Sequence, residues 1–193
     1  SPNHAIELSG MNLGGVKELK LEKCRITSET MQELTKVNMP ALLRLNLIRN
    51  IDEDHNELGP RGCSILASSN ILSRLTELSL NNNKVKDAGV KELAKSGLDF
   101  IEDLSLSFIS NNSDENQLTC DGVKELSGKA SAVECLSLGG NKLNDGAVAT
   151  INALNPDNIY FLNFDLLNNT ARNEFSEEGM KSMLNANKKL DVM

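Results

Sequence analysis

Aromatic residues and histidine are scarce in this sequence. Tryptophan is absent, aromatics amount to 3% of the residues, and the two histidines are His4 and His55. Two histidines cannot build a convincing acid–base network, because His4 is nearly terminal and His55 lies among acidic residues. No apolar run reaches the roughly 18 residues that a membrane-spanning helix needs. We therefore expect neither an enzyme nor a membrane-embedded protein, and no catalytic residue is predicted.

Cysteine is also sparse, and its spacing argues against a metal site. The four cysteines form no C-x-x-C pair, which makes a zinc site a poor interpretation. An even count permits two disulfides, but a chain of this size does not need them, and we favour four free thiols in a reducing compartment. The acidic stretches lack the D-x-[DN]-x-[DN]-G spacing of a calcium loop. We expect no metal and no other cofactor.

Positive charge is in deficit. The 193 residues contain 20 Lys and Arg against 27 Asp and Glu, for a net charge of −7. An acidic protein is a poor match for the nucleic-acid backbone, so we expect no nucleic-acid partner. The first part of the chain has no signal-peptide pattern and starts at Ser1. We expect a cytoplasmic protein, with secretion as the alternative if a leader was removed.

A recurrent apolar pattern is the strongest signal in the sequence. Leu75, Leu78, Leu80, Asn83 and Val85 follow the order L-x-x-L-x-L-x-x-N-x-V, and the string Gly-Val-Lys-Glu-Leu follows at 89–93 and recurs at 122–126. The same frame returns in copies that start near 16, 42, 75, 101, 133 and 159. Such periodicity predicts stacked structural repeats.

Within each copy the hydrophobic period changes from that of a strand to that of a helix. Positions 4 and 6 alternate as in a β-strand, and positions 16, 19 and 20 recur as on one helix face. Asparagine at position 9 can satisfy backbone groups of the turn that leaves the strand. The predicted helix N-caps are Thr27, Thr119, Asn144 and Ser176.

This pattern resembles the leucine-rich repeat family, specifically its ribonuclease-inhibitor-like branch, over residues 16–187. The resemblance implies an α/β leucine-rich repeat solenoid, a horseshoe arc with a parallel β-sheet on the concave face and α-helices on the convex face. We expect a single domain over 1–193, with 1–15 as a partial N-terminal repeat or cap and 188–193 as a further strand or C-terminal cap. An ordinary α/β domain with coincidental leucine spacing would not keep one frame through six copies.

Long and short copies alternate, since successive copies start 26, 33, 26, 32 and 26 residues apart. The extra residues lie between strand and helix, at 51–56, about 110–116 and about 168–174. The first two inserts are acidic and predict a rim that attracts a partner with a basic surface. Alternatively, these polar loops only keep the protein soluble. The rim candidates are Asp52, Glu53, Asp54, Asp114 and Glu115.

Strand positions that point away from the core form a second candidate surface. They are basic in the N-terminal third, small and polar in the middle, and aromatic at the C-terminal end. Arginine and aromatic residues often anchor interfaces, so the candidates are Arg44, Arg49, Phe108, Tyr160 and Phe161. Tyr160 and Phe161 have an alternative role as packing under a terminal cap, because terminal repeats are atypical.

The family resemblance implies a non-enzymatic protein–protein interaction module. One alternative is a regulator of an enzyme, such as an activator of a small GTPase, which rests on fold-level analogy. Another is a secreted or surface protein that recognises a host. The sequence itself does not identify the partner.

Overall fold

A parallel sheet with alternating helices makes up the described part of the protein. The computed structural model describes residues 11–22, 24, 26–48, 58–107, 118–155, 157, 159–164, 173–186 and 191–192. Seven strands pair in chain order, each parallel to the next, and a helix follows each of the first six. This open sheet with alternating helices fits the α/β leucine-rich repeat fold that the sequence resembles.

The strands are short, and their register is regular. They are β1 (Glu18–Lys20), β2 (Arg44–Asn46), β3 (Glu77–Ser79), β4 (Asp103–Ser105), β5 (Cys135–Ser137), β6 (Phe161–Asn163) and β7 (Asp191–Val192). From β1 to β6, the first, second and third residues of each strand pair with the first, second and third residues of the next strand. Equivalent residues of successive repeats therefore form straight rows across the sheet.

In the described residues, six α-helices connect the strands. They are α1 (Ser28–Leu34), α2 (Gly59–Ala67), α3 (Lys86–Lys95), α4 (Cys120–Lys124), α5 (Val148–Leu154) and α6 (Glu177–Ala186). Each helix contacts the next along the chain, α4 and α5 partly through the 3-10 turn Asp145–Ala147. None of the described helices is both long and apolar enough to cross a membrane.

A ladder of leucines forms the core between sheet and helices. The middle residue of each strand from β2 to β6 is a leucine at most 1% exposed, while its two neighbours in the strand stay exposed or half-buried. The helices complete the core with residues such as Leu34, Leu66 and Leu93. One repeat alone could not bury these side chains, so the repeats stabilise one another.

The predicted N-caps are confirmed. Thr27 and Thr30 form a capping box: Thr27 Oγ1 accepts a hydrogen bond from the N–H of Thr30, and Thr30 Oγ1 accepts one from the N–H of Thr27. Thr119 and Asn144 accept from the N–H two residues later. Ser176 Oγ accepts from the N–H of Gly179 at 3.0 Å. These bonds satisfy backbone donors that the first helical turn leaves free.

Buried asparagines fill the ninth position, as predicted. Asn141 is 1% exposed, and its Nδ2 donates to the carbonyls of Leu106 (3.1 Å) and Leu138 (2.9 Å). Its Oδ1 accepts from the N–H of Leu118 at 3.0 Å. Asn83 similarly donates to the Leu47 carbonyl at 2.6 Å. One amide therefore joins the backbones of two successive repeats.

The sixth repeat has the same asparagine, but at a position that the sequence analysis had placed within the inserted loop. Asn173 Nδ2 donates to the carbonyls of Leu138 (3.0 Å) and Phe164 (3.5 Å), and its Oδ1 accepts from the N–H of Leu143 at 3.1 Å. These contacts correspond one by one to those of Asn141. The insert of this repeat therefore lies before Asn173 and leaves the asparagine position intact.

Two aspartates link a short repeat to the long repeat that follows. Asp87 Oδ1 accepts from the N–H of Thr119 at 2.8 Å, and its Oδ2 accepts from the Thr119 hydroxyl at 2.7 Å. Asp145 accepts the same two hydrogen bonds from Ser176. These donors hold the pKa of the Asp145 carboxyl below its usual value. We call each contact an aspartate clasp.

Two helical glycines make room for the clasps. A Cβ at Gly122 would lie 2.2 Å from Asp87 Oδ1, and one at Gly179 would lie 2.2 Å from Asp145 Oδ1. Real Cβ atoms do not approach another atom so closely, so a side chain here would displace the carboxylate. The close packing of neighbouring helices explains why the string Gly-Val-Lys-Glu-Leu at 122–126 begins with glycine.

We expect Gly122→Ala to lower the free energy of unfolding by up to about 2 kcal/mol, because overpacking typically costs about 1–3 kcal/mol and the helix propensity of alanine returns about 1 kcal/mol of it. Urea unfolding would measure the change. Gly15→Ala is the matched control, since a Cβ there meets nothing within 4 Å. In an Asp87→Ala background the cost of Gly122→Ala should become smaller, because the contact with the carboxylate is lost while the contact with the backbone Cα of residue 87, at 3.0 Å, remains. An undiminished cost there would show that the clasp is not its cause.

Candidate functional site

One face of the sheet carries exposed side chains from every strand between β1 and β6, and we call it the open face. Its rows come from the residue before each strand and from the first and third strand residues. The first row is Lys17, Leu43, Thr76, Glu102, Glu134 and Tyr160; the second is Glu18, Arg44, Glu77, Asp103, Cys135 and Phe161; the third is Lys20, Asn46, Ser79, Ser105, Ser137 and Asn163. All of these side chains are exposed or half-buried.

At the N-terminal strands the charges of the open face pair with one another. Arg44, a predicted partner-binding residue, lies 3.4 Å from the Glu18 carboxylate and 3.8 Å from that of Glu77. Lys20 lies 2.9 Å from Glu18. The hydrogen bond between Lys20 and Glu18 raises the pKa of Lys20 and lowers that of Glu18. The basic character expected for this third of the face is therefore balanced by carboxylates on neighbouring strands.

The middle of the open face is acidic. Glu102 and Asp103 lie on or beside β4, and Glu134 lies one strand further along. Within the described ranges, none of these three carboxylates forms an ion pair. Burial, and then the nearby charge of Glu77, raise the pKa of Asp103. The sequence analysis described this region as small and polar, but the adjacent pair Glu102 and Asp103 was visible in the sequence.

Aromatic side chains mark the C-terminal end of the described open face. Tyr160 is 48% exposed, and Phe161, the first residue of β6, is half-buried. The side chain of Cys135, on the neighbouring strand, raises the pKa of Tyr160. Burial raises the pKa of the Cys135 thiol. The structure thus places both predicted aromatic residues beside the acidic middle of the face.

Short polar side chains at the carboxyl ends of the strands form their own hydrogen bonds. Asn81 Oδ1 accepts from the Ser105 hydroxyl and from the N–H of Ser107, both at 2.8 Å. Ser107 Oγ accepts from the N–H of Gly139 at 3.1 Å. These bonds cross from β3 to β5. They hold Asn81, Ser107 and Gly139 at the carboxyl edge of the open face in one arrangement.

Seven of the ten predicted partner-binding residues lie outside the described residues. They are Arg49, Asp52, Glu53, Asp54, Phe108, Asp114 and Glu115. The acidic loop rim therefore stays a prediction. Arg44, Tyr160 and Phe161 are described, and all three lie in the first two rows of the open face.

All four cysteines are free thiols; Cys63 is buried and the others are partly buried. Burial raises the pKa of the Cys63 thiol to about 12, so the thiolate is scarce at neutral pH. Among the described residues, no three His, Cys, Asp or Glu side chains are placed to hold a metal ion.

The helix side carries a shallow groove of about 560 Å³ between α1 and α2. Its lining residues are Gln32, Thr35, Arg61, Ser64, Ile65, Ser68, Ser69 and Asn70. Arg61 pairs there with Glu29 at 3.3 Å, and the hydroxyl of Ser64 lies 3.2 Å from a Glu92 carboxylate oxygen. The polar groups of this groove are largely satisfied by the protein itself.

Residues 73–94 match the family model described as leucine-rich repeat. The matched segment contains β3 and most of α3. It supports a leucine-rich repeat protein, and such repeats generally mediate protein–protein interaction and are typically non-enzymatic. No curated protein matches the chain significantly.

Proposed function

We propose that this protein is a non-enzymatic module that binds a protein partner through the open face and through the loop rim beside it. In this proposal the open face is the concave side of a horseshoe-shaped, ribonuclease-inhibitor-like solenoid over 1–193. Residues 1–15 form a partial repeat or cap, and residues 188–193 form a further strand or cap. The protein works in the cytoplasm and needs no cofactor.

One observation carries the proposal: a continuous surface of exposed side chains extends over six hydrogen-bonded strands. Its backbone is held by the leucine ladder and by the buried asparagines, so a partner meets a rigid surface. Rigid surfaces bind with little loss of conformational entropy. The face offers both charged and aromatic side chains, as protein interfaces commonly do.

The loop rim extends the proposed surface. Asp52, Glu53 and Asp54 follow β2, and Asp114 and Glu115 follow β4. Loops after parallel strands meet at one edge of the sheet, so these acidic residues would lie next to the open face. Charges at such a rim raise the rate of association more than the affinity. Arg49 and Phe108 would lie at the junction between the rim and the open face.

Blocking the open face should abolish binding of the partner. We expect Ser137→Trp, at the fifth of the six positions of the third row, to prevent affinity capture of a partner from an extract of the source organism. The half-buried Ser137 lies on the same row as Ser105 and Asn163, so a tryptophan there would occupy the face. The measurement is the amount of each captured protein relative to wild type.

Ser127→Trp is the matched control, because Ser127 is exposed in the turn after α4 and not on the open face. It should capture the partner as well as wild type does. Thermal unfolding of both variants checks that they fold. Equal capture by Ser137→Trp and wild type would contradict a role of the open face.

A further inference from the structure

Charge on the open face changes from balanced to negative along the sheet. On the strands β1–β3, the cations Arg44 and Lys20 pair with the carboxylates of Glu18 and Glu77. Beyond them, in the described part of the chain, no lysine or arginine pairs with Glu102, Asp103 or Glu134. The carboxylates of β4 and β5 are therefore available to cations from outside the protein.

The aromatic side chains continue the same two rows. Backbone hydrogen bonds place Glu102, Glu134 and Tyr160 side by side, and the strand register does the same for Asp103, Cys135 and Phe161. Neighbouring strands lie about 4.8 Å apart, so Tyr160 is about 5 Å along the sheet from Glu134 and about 10 Å from Glu102. One short segment of a partner can thus contact the carboxylates and the aromatic rings together.

Tyr160 is suited to act as an anchor. The residue is 48% exposed, so its ring is accessible to a partner. Tyrosine supplies a large contact area at a low cost in side-chain entropy. A cationic side chain that reaches the carboxylates can also lie over the aromatic ring, which attracts it.

We infer that the acid–aromatic platform, formed by Glu102, Asp103, Glu134, Tyr160 and Phe161, docks a segment of a partner protein in which lysine or arginine lies beside an apolar side chain. The cation lies over β4 and β5, and the apolar side chain lies against Tyr160 and Phe161. Charge complementarity identifies this occupant, since the carboxylates repel acidic segments and nucleic-acid phosphates. The inference rests on the proposed function and specifies its partner.

Synthetic peptides test the platform directly. The probe is a fluorescently labelled peptide of repeated Arg-Leu-Ser units, whose binding to the protein is followed by fluorescence anisotropy at low salt. A peptide with glutamate in place of arginine should not bind, and one with serine in place of leucine should bind more weakly. Equal binding of the arginine and glutamate peptides would overturn the inference.

A pair of neutralised variants separates the platform from the overall charge. Glu102→Gln combined with Glu134→Gln should weaken binding of the Arg-Leu-Ser peptide by about tenfold, as expected for close charge pairs at an interface. Glu33→Gln combined with Glu125→Gln is the matched control. It changes the net charge equally, at the end of α1 and just after α4. Equal weakening by both pairs would show attraction by net charge alone and would overturn the inference.

The apolar half of the platform has its own variant. Tyr160→Ala should weaken binding of the Arg-Leu-Ser peptide more than binding of the peptide that lacks leucine, because only the leucine-containing peptide uses the ring as an anchor. Circular dichroism and thermal unfolding verify that each variant folds. An equal loss of affinity for the two peptides would show that Tyr160 does not belong to the docking site.

The capture experiment distinguishes this inference from the proposed function. If Ser137→Trp prevents capture of the partner but the neutralised platform variant captures it normally, the open face binds a partner of another chemistry and the inference fails. If Ser137→Trp has no effect on capture, the proposed function itself fails. Loss of capture by both variants, with normal capture by the Glu33 and Glu125 control, supports both the proposed function and the inference.

Discussion

Replacing Leu80 with asparagine should lower the free energy of unfolding by about 4 kcal/mol or more. Leu80 is 1% exposed, and its N–H donates to the Ser105 carbonyl at 2.9 Å, so its side chain cannot move out of the core without breaking the sheet. Truncation of a buried leucine costs about 2–5 kcal/mol. A buried amide without a hydrogen-bond partner adds about 1–3 kcal/mol.

The same substitution at an exposed leucine is the control. Leu43 is 37% exposed and lies in the first row of the open face. Leu43→Asn should change the stability by less than about 0.5 kcal/mol, as surface substitutions usually do. Urea or thermal unfolding measures both variants. A similarly small effect of Leu80→Asn would show that the sixth position does not belong to the core.

Asn141→Ala should destabilise the protein by about 3 kcal/mol, although it removes only a small polar group. The substitution leaves the N–H of Leu118 and the carbonyl of Leu106 without the bonds that the amide provides, whereas the Leu138 carbonyl keeps the bond from Asn173. Each buried backbone group left unsatisfied costs about 1–3 kcal/mol. The loss concerns two repeats at once, because the amide joins them.

Asn141→Asp distinguishes the donor role of the amide from its size. The aspartate keeps an oxygen for Leu118 N–H but presents another oxygen to the carbonyls of Leu106 and Leu138, so it should destabilise at least as much as alanine. Asn185→Ala, on the exposed side of α6, is the control and should have almost no effect. An aspartate variant as stable as wild type would contradict the hydrogen-bonding role.

The buried residues of this protein could be predicted from local sequence. Buried strand leucines, N-capping residues and the asparagines at 83 and 141 each follow from a spacing of a few residues, because they serve contacts within a strand, a turn or a helix end. The role of Asn173 could not be predicted in this way. This residue lies nine positions after Phe164, whereas Asn141 lies three positions after Leu138, so the insert hides its equivalence.

Contacts between repeats depend on distances that no local pattern records. Gly122 occurs in a recognisable string, but the carboxylate that requires it belongs to Asp87 of the preceding repeat. Similarly, Arg44 looked like a free cation in the sequence. Its partners Glu18 and Glu77 are 26 and 33 positions away and become neighbours only when parallel strands pair in register.

The alternation of apolar residues by itself determined which side chains are buried, because burying a leucine stabilises the protein whatever the neighbouring repeat contains. The tertiary structure alone decided which charges remain unpaired on the surface. Electrostatic pairing acts over a few ångströms, and only the strand register decides that Arg44 meets Glu18 and Glu77 while Glu102, Asp103 and Glu134 meet no cation among the described residues.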